Sequence, residues 1–373
     1  MTKRIRVGVI FGGRSGEHEV SLVSATSVMQ ALDPGKYEVI PIGITHEGRW
    51  LSSEKALHLL KENSGLDREP ERFLVPEPNR QALISANGTA DSAQPIDVVI
   101  PLVHGTYGED GTLQGLLELA NLPYVGAGVL GSALGMDKIA QKEILQQAKF
   151  PLPKYIYFLG SEWRENAKRL TARVEQSLKY PLFVKPANTG SSVGITKAHN
   201  RNELRSAVEL AIRYDRRIIV EQGVKRVREI ECSVLGNDDP IASVPGEVVP
   251  SNEFYDYEAK YVDGKSAAII PAPLPKRVAE EIRRLAVRAF RAIDCSGMAR
   301  ADFFVTKKTN RIYLNELNTI PGFTAISMYP KLWEATGIPY RELLDRLISL
   351  AMERHREKNA LERTFKPPRE WYR

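Results

Sequence analysis

The chain has 373 residues, a net charge of +6, 43% hydrophobic and 26% charged residues, and two cysteines. That length exceeds what one hydrophobic core usually serves, so two or three domains are expected, with ligand sites between them. The modest basic excess comes without a basic stripe, aromatic platforms or a reader motif, which argues against nucleic acid and suits small anionic substrates. Cys232 and Cys295 lie outside any CxxC or Cys/His spacing, which argues against a zinc site and a disulfide framework and fits a reducing compartment. No apolar run is long enough to span a bilayer, and the run at residues 7–11 is too short for a signal segment, so a soluble, cytoplasmic protein is expected.

Residues 5–11, 20–32 and 39–45 read as strand, helix and strand, an alternation that implies a parallel sheet. The glycine turn in FGGRSGEHE puts Glu17 at the start of the helix. In an open α/β sheet ligands bind beyond the C-terminal strand ends, so Glu17 is placed to hold a ligand ammonium. The plainer alternative is that Glu17 or Glu19 only favours the positive end of the helix dipole. Residues 52–95 are polar and carry several prolines; apart from a short helix at 56–62 they read as a surface insertion without visible chemistry. The sheet resumes at 96–102, and His104 follows in PLVHGTYGEDGTLQG, where it can orient a substrate, relay a proton or simply bond to backbone.

Gly126 to Gly131 fit GxGxxG, but no acidic residue ends a strand about twenty positions on, where a ribose ligand is required, so the stretch reads as a tight packing turn. A helix over 132–148 carries Lys138. The strand at 154–158, the helix at 161–178 and the strand at 181–186 follow, and the last presents Lys185 at its end. The next residues, KPANTGSSVG, offer one point charge and several N–H and O–H donors to an oligophosphate, although such a loop can also be an ordinary turn. A Walker A loop is absent. Asn200 and Glu203 make a capping-box-like start for a helix to 214, and 217–221 is the next strand.

Strands at 229–235 and 241–249 open a third unit, covered by helices at 276–293 and 340–357. Between them FYDYEAKYVDGK is either a surface loop or a lid that carries Lys260 and Tyr261 over the substrates. The stretch RADFFVTKKTNRIYLNELNTIPG then makes a hairpin. Alternation puts Arg300 and Asp302 on one face of its first strand and Glu316 and Asn318 on one face of the second, with Ala301, Phe303, Val305, Tyr313 and Leu317 on the opposite parity. Asp302, Glu316 and Asn318 can supply the hard oxygen ligands that magnesium takes beside substrate phosphates, though the same pattern also fits a solvated hairpin face.

Seven segments together, FGGRSGEHEVSL, PLVHGTYGEDGTLQG, GSALGMDK, FVKPANTGSSVG, EFYDYEAKY, RADFFV and NELNTIPGFTAISMYP, resemble those of D-alanyl-D-alanine ligases of the ATP-grasp superfamily, in the same order. The resemblance runs from the first strand to Pro330 and leaves out the insertion and the tail. It implies an α/β, three-domain ATP-grasp architecture: a Rossmann-like parallel-sheet domain over 1–126, a central subdomain over 127–222, and a C-terminal subdomain over 223–373 with a lid at about 250–265. ATP would bind between the central and C-terminal parts. The implied reaction phosphorylates one D-alanine carboxylate, and the amine of a second D-alanine attacks the acyl phosphate, as peptidoglycan precursor synthesis needs.

Carried onto this chain, the resemblance implies Lys138, Lys185, Ser192 and Lys260 at the ATP phosphates, Glu221 at the adenine and Glu229 at the ribose. It implies Asp302, Glu316 and Asn318 around two Mg²⁺ ions, or Mn²⁺ in their place. Glu17 would take the first ammonium in a network with Ser191 and Tyr261, and His104 would help position that substrate. Arg300 and the Gly322 N–H would stabilise the oxyanion, and Ser327 would bind the second carboxylate. Tyr261 favours the dipeptide over an ester with D-lactate. The remaining alternatives are another ATP-grasp carboxylate–amine ligase, a nucleotide sensor without turnover, and a nicotinamide dehydrogenase. A homodimer is expected.

Overall fold

A computed structural model describes residues 3–85, 93–190, 192–249, 267–324 and 326–364. Strand β1 (Ile5–Gly12) is buried along six consecutive positions, as a central strand covered on both faces must be. Helix α1 (His18–Ala31) follows, and then β2 (Tyr37–Ile44), which pairs with β1 in parallel. Strand β3 (Trp50–Leu51) adds to β2 antiparallel, and α2 (Ala56–Glu62) falls where the sequence places a helix.

The insertion is more structured than its composition implies. β4 (Arg72–Leu74), β5 (Ala82–Ser85) and β6 (Gln94–Pro95) form a small antiparallel sheet, and Leu74 and Leu83 are buried in one core with Ile40, Ile42 and Leu113. β7 (Val98–Pro101) then completes the first sheet, order β3-β2-β1-β7, and α3 (Thr112–Leu119) follows.

The single helix expected over 132–148 is two, α4 (Val129–Met136) and α5 (Lys138–Gln147). Asp137 breaks it. Its backbone is extended and its carboxylate accepts from the N–H groups of Ile139 at 3.0 Å and Ala140 at 2.9 Å, the capping role in which aspartate outcompetes a helix interior. The break makes Lys138 the first residue of α5. The GxGxxG stretch is a packing turn: a Cβ on Gly131 would stand 2.5 Å from the Asp294 carbonyl oxygen, and one on Gly297 3.0 Å from the Gly126 nitrogen.

The second sheet, order β10-β9-β11-β8, is antiparallel throughout. It comprises β8 (Tyr155–Leu159), β9 (Leu182–Pro186), β10 (Thr196–Ala198) and β11 (Arg217–Gln222). Helices α6 (Gly160–Ser177) and α7 (Arg201–Ala211) cover one face, where Val184, Ile218 and Val220 pack with Trp163, Val174 and Leu204. Asn200 caps α7 as its sequence implies. Strand alternation sends Lys185 and Glu221 to the other face.

The third sheet is antiparallel, order β15-β14-β12-β16-β17, with β13 also paired to β12. Its strands are β12 (Val227–Gly236), β13 (Ile241–Ala242), β14 (Gly246–Val249), β15 (Ala267–Ile269), β16 (Gly297–Thr306) and β17 (Ile312–Asn318). The strand expected at 241–249 is therefore interrupted. Helix α8 (Lys276–Ala292) buries Ile282, Leu285, Ala289 and Phe290 against this sheet. Helix α9 (Met328–Ala335) was not legible in the sequence. Helix α10 (Tyr340–Ala360) does more than cover the third unit: Leu343, Leu344, Leu347 and Ile348 share a core with Val7, Val9, Ile100 and Leu102 of the first sheet. Arg354 fastens it there, donating to the carbonyls of Tyr124 and Gly126 with its guanidinium 4.5 Å above the Tyr124 ring.

Candidate active site

On the open face of the second sheet, Glu221 sits between two lysines. Lys185 donates to its Oε2 at 3.0 Å, and Lys142 of α5 lies 3.2 Å from its Oε1. The three residues are 7%, 2% and 3% exposed for Lys185, Lys142 and Glu221, so water does little to screen them. Burial works against the Glu221 charge, but the two ammoniums outweigh it and hold its pKa below the ordinary 4.5. Lys185 is pushed up because Glu221 and Glu316 outweigh its burial. For Lys138 and Lys142 burial prevails and lowers the pKa. The geometry sets one carboxylate between two lysine amines, at 3.0 and 3.2 Å.

Lys138 donates to the Thr189 carbonyl at 2.6 Å, which ties the start of α5 to the loop at 187–194. Asp137 reinforces that junction through Asn188, whose Nδ2 donates to it at 3.1 Å, and through Arg217. Ser192 lies in the same loop with φ +61°, the left-handed region. Three lysines around one carboxylate leave a positive, nearly dry site, which is what an oligophosphate requires.

The hairpin faces this cluster. Lys185 feels Glu316 and Glu229, and Lys138 feels Glu316 and Glu17, so the three sheets share one cleft. Register aligns Glu231, Asp302 and Glu316 across β12, β16 and β17, with Ser233, Arg300 and Asn318 as the next row. Arg300 grips both oxygens of Asp302 at 2.7 Å and lies 3.1 Å from Glu231. The Asn318 Oδ1 accepts from the Ile320 N–H at 3.0 Å. Among the described residues no three His, Cys, Asp or Glu side chains could hold a metal by themselves. Two carboxylates and an amide oxygen fit magnesium, which usually completes its octahedron with substrate phosphates and water.

One expectation for the hairpin is corrected. The register shifts between Asp302 and Phe303, so that Phe303 opposes Leu314 and Asn315 is the extra residue of a bulge. Leu314 and Leu317 are buried for that reason, whereas Tyr313 is only half-buried under the Arg311 guanidinium. Beyond β17, Ser327 closes a turn, accepting from the Thr324 N–H at 3.1 Å, and its Oγ would lie 3.1 Å from a Cβ on Gly322. The two residues are neighbours.

Glu17 is 6% exposed at the start of α1. A Cβ on Gly190 would come within 2.0 Å of its carboxylate and one on Gly105 within 2.7 Å, so two glycines let two loops close over it. Ser15 accepts from the Glu17 N–H at 3.0 Å and donates to the His104 carbonyl at 2.6 Å. His104 itself is buried, with Nδ1 3.2 Å from the Ile320 carbonyl and Nε2 3.1 Å from Ser24. Burial opposes its charge, but Glu109 and Glu17 outweigh that and raise its pKa. Thus His104 links the Glu17 loop to the segment that follows Asn318.

The structure brings together Glu17, His104, Lys138, Lys185, Glu221, Arg300, Asp302, Glu316 and Asn318 around this cleft, and Glu229 acts on it electrostatically; Ser192 lies in the loop that Lys138 ties down, and Gly322 and Ser327 lie beside each other beyond β17. Ser191, Lys260 and Tyr261 lie outside the described residues. Sequence reasoning missed Lys142, Glu231, Asp137 and Glu109. Two left a signal: Lys142 is one helical turn from Lys138, and Glu231 shares the strand parity of Glu229.

The chain matches the family described as D-ala D-ala ligase N-terminus over residues 6–127 and that described as D-ala D-ala ligase C-terminus over residues 144–349. It is 52% identical to a D-alanine–D-alanine ligase of Heliobacterium modesticaldum, covering 96% of this chain and 98% of that one. Identity to a D-alanine–D-alanine ligase of Geobacillus thermodenitrificans is 49%, over 97% and 99%. Of solved structures, a D-alanine-D-alanine ligase from Coxiella burnetii aligns with a TM-score of 0.83 at 39% identity, covering 96% of this chain and 97% of that one. VanG D-Ala:D-Ser ligase from Enterococcus faecalis aligns with a TM-score of 0.83 at 36% identity, covering 94% and 100%.

Replacing Glu221 by Gln leaves two buried ammoniums without their counter-charge, and a loss of about 3–5 kcal/mol is expected from urea unfolding at neutral pH. Because the folded pKa of Glu221 is depressed, its contribution is complete above the ordinary 4.5 and is lost as pH falls below that value through the folded pKa. The Gln variant should accordingly show a flatter decline of the urea midpoint in that acid range, and parallel declines would contradict the role given to the pair.

Proposed function

The chain belongs to the D-alanine–D-alanine ligase family, and from that premise we propose how its own residues divide the work. The protein is an ATP-dependent ligase of ATP-grasp architecture that joins two D-alanine molecules for peptidoglycan synthesis. One observation supports the division of roles above the others: Glu316, in register with Asp302, acts on the buried Lys185–Glu221–Lys142 cluster.

In this reading Lys138 and Lys185 hold the ATP phosphates from the central sheet side, and Ser192 and the neighbouring Ser191 contribute from the loop that also covers Glu17. Lys260 reaches the transferred phosphoryl from the lid. Glu221 lies towards the adenine and Glu229 towards the ribose, with the Glu221 charge already held by two lysines. Asp302, Glu316 and Asn318 hold two magnesium ions. Bound there, the ions neutralise phosphate charge during transfer. The units would divide near residues 126 and 222, with α4 and α5 lying over the third sheet.

Glu17 holds the ammonium of the first D-alanine, oriented by Ser15 and His104 and closed by Tyr261. The carboxylate oxygen of that D-alanine attacks the terminal phosphorus of ATP, the bond to ADP breaks, and D-alanyl phosphate forms. The amine of the second D-alanine, held through its carboxylate by Ser327, attacks the acyl carbon. Arg300 and the Gly322 N–H stabilise the oxyanion that appears only in this step. The tetrahedral species then expels phosphate, and the proton given up by the attacking amine passes to the departing phosphate or to water.

The likeness to a D-Ala:D-Ser ligase makes the acceptor the point to test. Coupled ADP release with D-alanine, D-serine, D-lactate and L-alanine as second substrates should favour D-alanine, and a preference for D-serine or D-lactate would overturn the assignment. Arg300→Ala should lower kcat on the order of a hundredfold or more while leaving ATP affinity little changed. Equal losses in both would confine Arg300 to holding Asp302 and Glu231. The reading extends to a cytoplasmic homodimer, supported by the exposed Leu119, Val129 and Leu130 on α3 and α4, and a monomeric mass by light scattering would remove the dimer.

A further inference from the structure

β17 is the last strand of the third sheet among the described residues, so alternate residues turn their backbone groups away from β16 with no described strand to receive them. Two consecutive side chains of α5 take that place. Gln141 accepts from the Leu317 N–H at 2.9 Å and donates to the Leu317 carbonyl at 3.1 Å, while Lys142 donates to the Asn315 carbonyl at 2.8 Å. The second Gln141 donor interaction, at 2.9 Å, goes to the Gly135 carbonyl at the end of α4. The side-chain amide therefore stands in for a strand residue, offering a donor and an acceptor side by side.

Leu317 lies between Glu316 and Asn318, and Asn315 is the bulge residue immediately before Glu316. The fit leaves little room: Gln141 is 1% exposed, and a Cβ on Gly135 would stand 2.5 Å from the Thr319 side chain. We propose that Gln141 is a positioning residue, whose amide fixes the backbone between Glu316 and Asn318 and so aims both side chains at the metal, in register with Lys138 on the same helix. The inference rests on the reading of Asp302, Glu316 and Asn318 as metal holders. Its consequence is mechanical: the phosphate-binding start of α5 and the metal-binding end of β17 keep a fixed spacing, because one side chain bridges them.

Isothermal titration of ADP into the full chain, with and without Mg²⁺, tests it in wild type, Gln141→Glu and Gln141→Met. Glu keeps the shape but cannot donate to the two carbonyls, and Met removes every hydrogen bond. Both variants should lose roughly tenfold or more in affinity for ADP with Mg²⁺ and stay within about twofold of wild type without it, the pattern of an outer residue that orients a ligand. Equal losses with and without Mg²⁺, an unchanged Mg²⁺ response, or failure of both variants to fold would overturn the positioning role. If wild type itself bound ADP equally well with and without Mg²⁺, the metal reading would fall first, which separates the two failures.

Discussion

A carboxylate buried between two ammoniums governs this molecule. Burial opposes the charge of Lys142, Lys185 and Glu221 alike, and each is offset by the opposite charge beside it. Their elements are thereby committed to one arrangement: Lys142 comes from α5, while Lys185 and Glu221 come from adjacent strands of the second sheet. The same Lys142 reaches the bulge of β17. Through one side chain, a helix, the central sheet and the hairpin of the third sheet are held at a common cleft. The result is a site whose positive charge is set before any phosphate arrives, the condition under which electrostatic stabilisation is most effective.

Around that cluster the other parts answer a geometric demand. The acidic row Glu231, Asp302 and Glu316 concentrates negative charge across three strands, and Arg300 offsets it from the adjacent row. Without Arg300 and a bound cation, three carboxylates side by side would repel. At the other end, Gly105 and Gly190 give up side chains so that two loops can close on Glu17. The first sheet joins this arrangement through α10, which packs on β1 and β7 and is pinned by Arg354 to the carbonyls of Tyr124 and Gly126.

Much of the site was legible from strand parity and loop composition. Arg300, Asp302, Glu316 and Asn318 fall on the expected face, and Lys185 emerges where an apolar strand ends. Parity failed at Tyr313 because a bulge at Asn315 adds one residue, and a bulge leaves no mark in an alternating pattern. The helix expected over 132–148 is broken because the capping strength of Asp137 outweighs continued helix, a competition that periodicity does not register. Lys142 left only its one-turn spacing from Lys138, and Gln141 was invisible as a site residue because its partners are backbone atoms distant in sequence. The residues at 52–95 looked polar overall, yet Leu74 and Leu83 pack a small sheet onto the first core.

The most direct test of the central claim is a crystal structure with ADP, Mg²⁺ and a phosphinate analogue of the tetrahedral species. The account predicts phosphate oxygens at Lys138 and Lys185, metal at Asp302, Glu316 and Asn318, and the Lys142–Glu221 pair still closed beneath them. Nucleotide lying elsewhere, or Lys185 turned away from the phosphates while Glu221 is released to solvent, would contradict it.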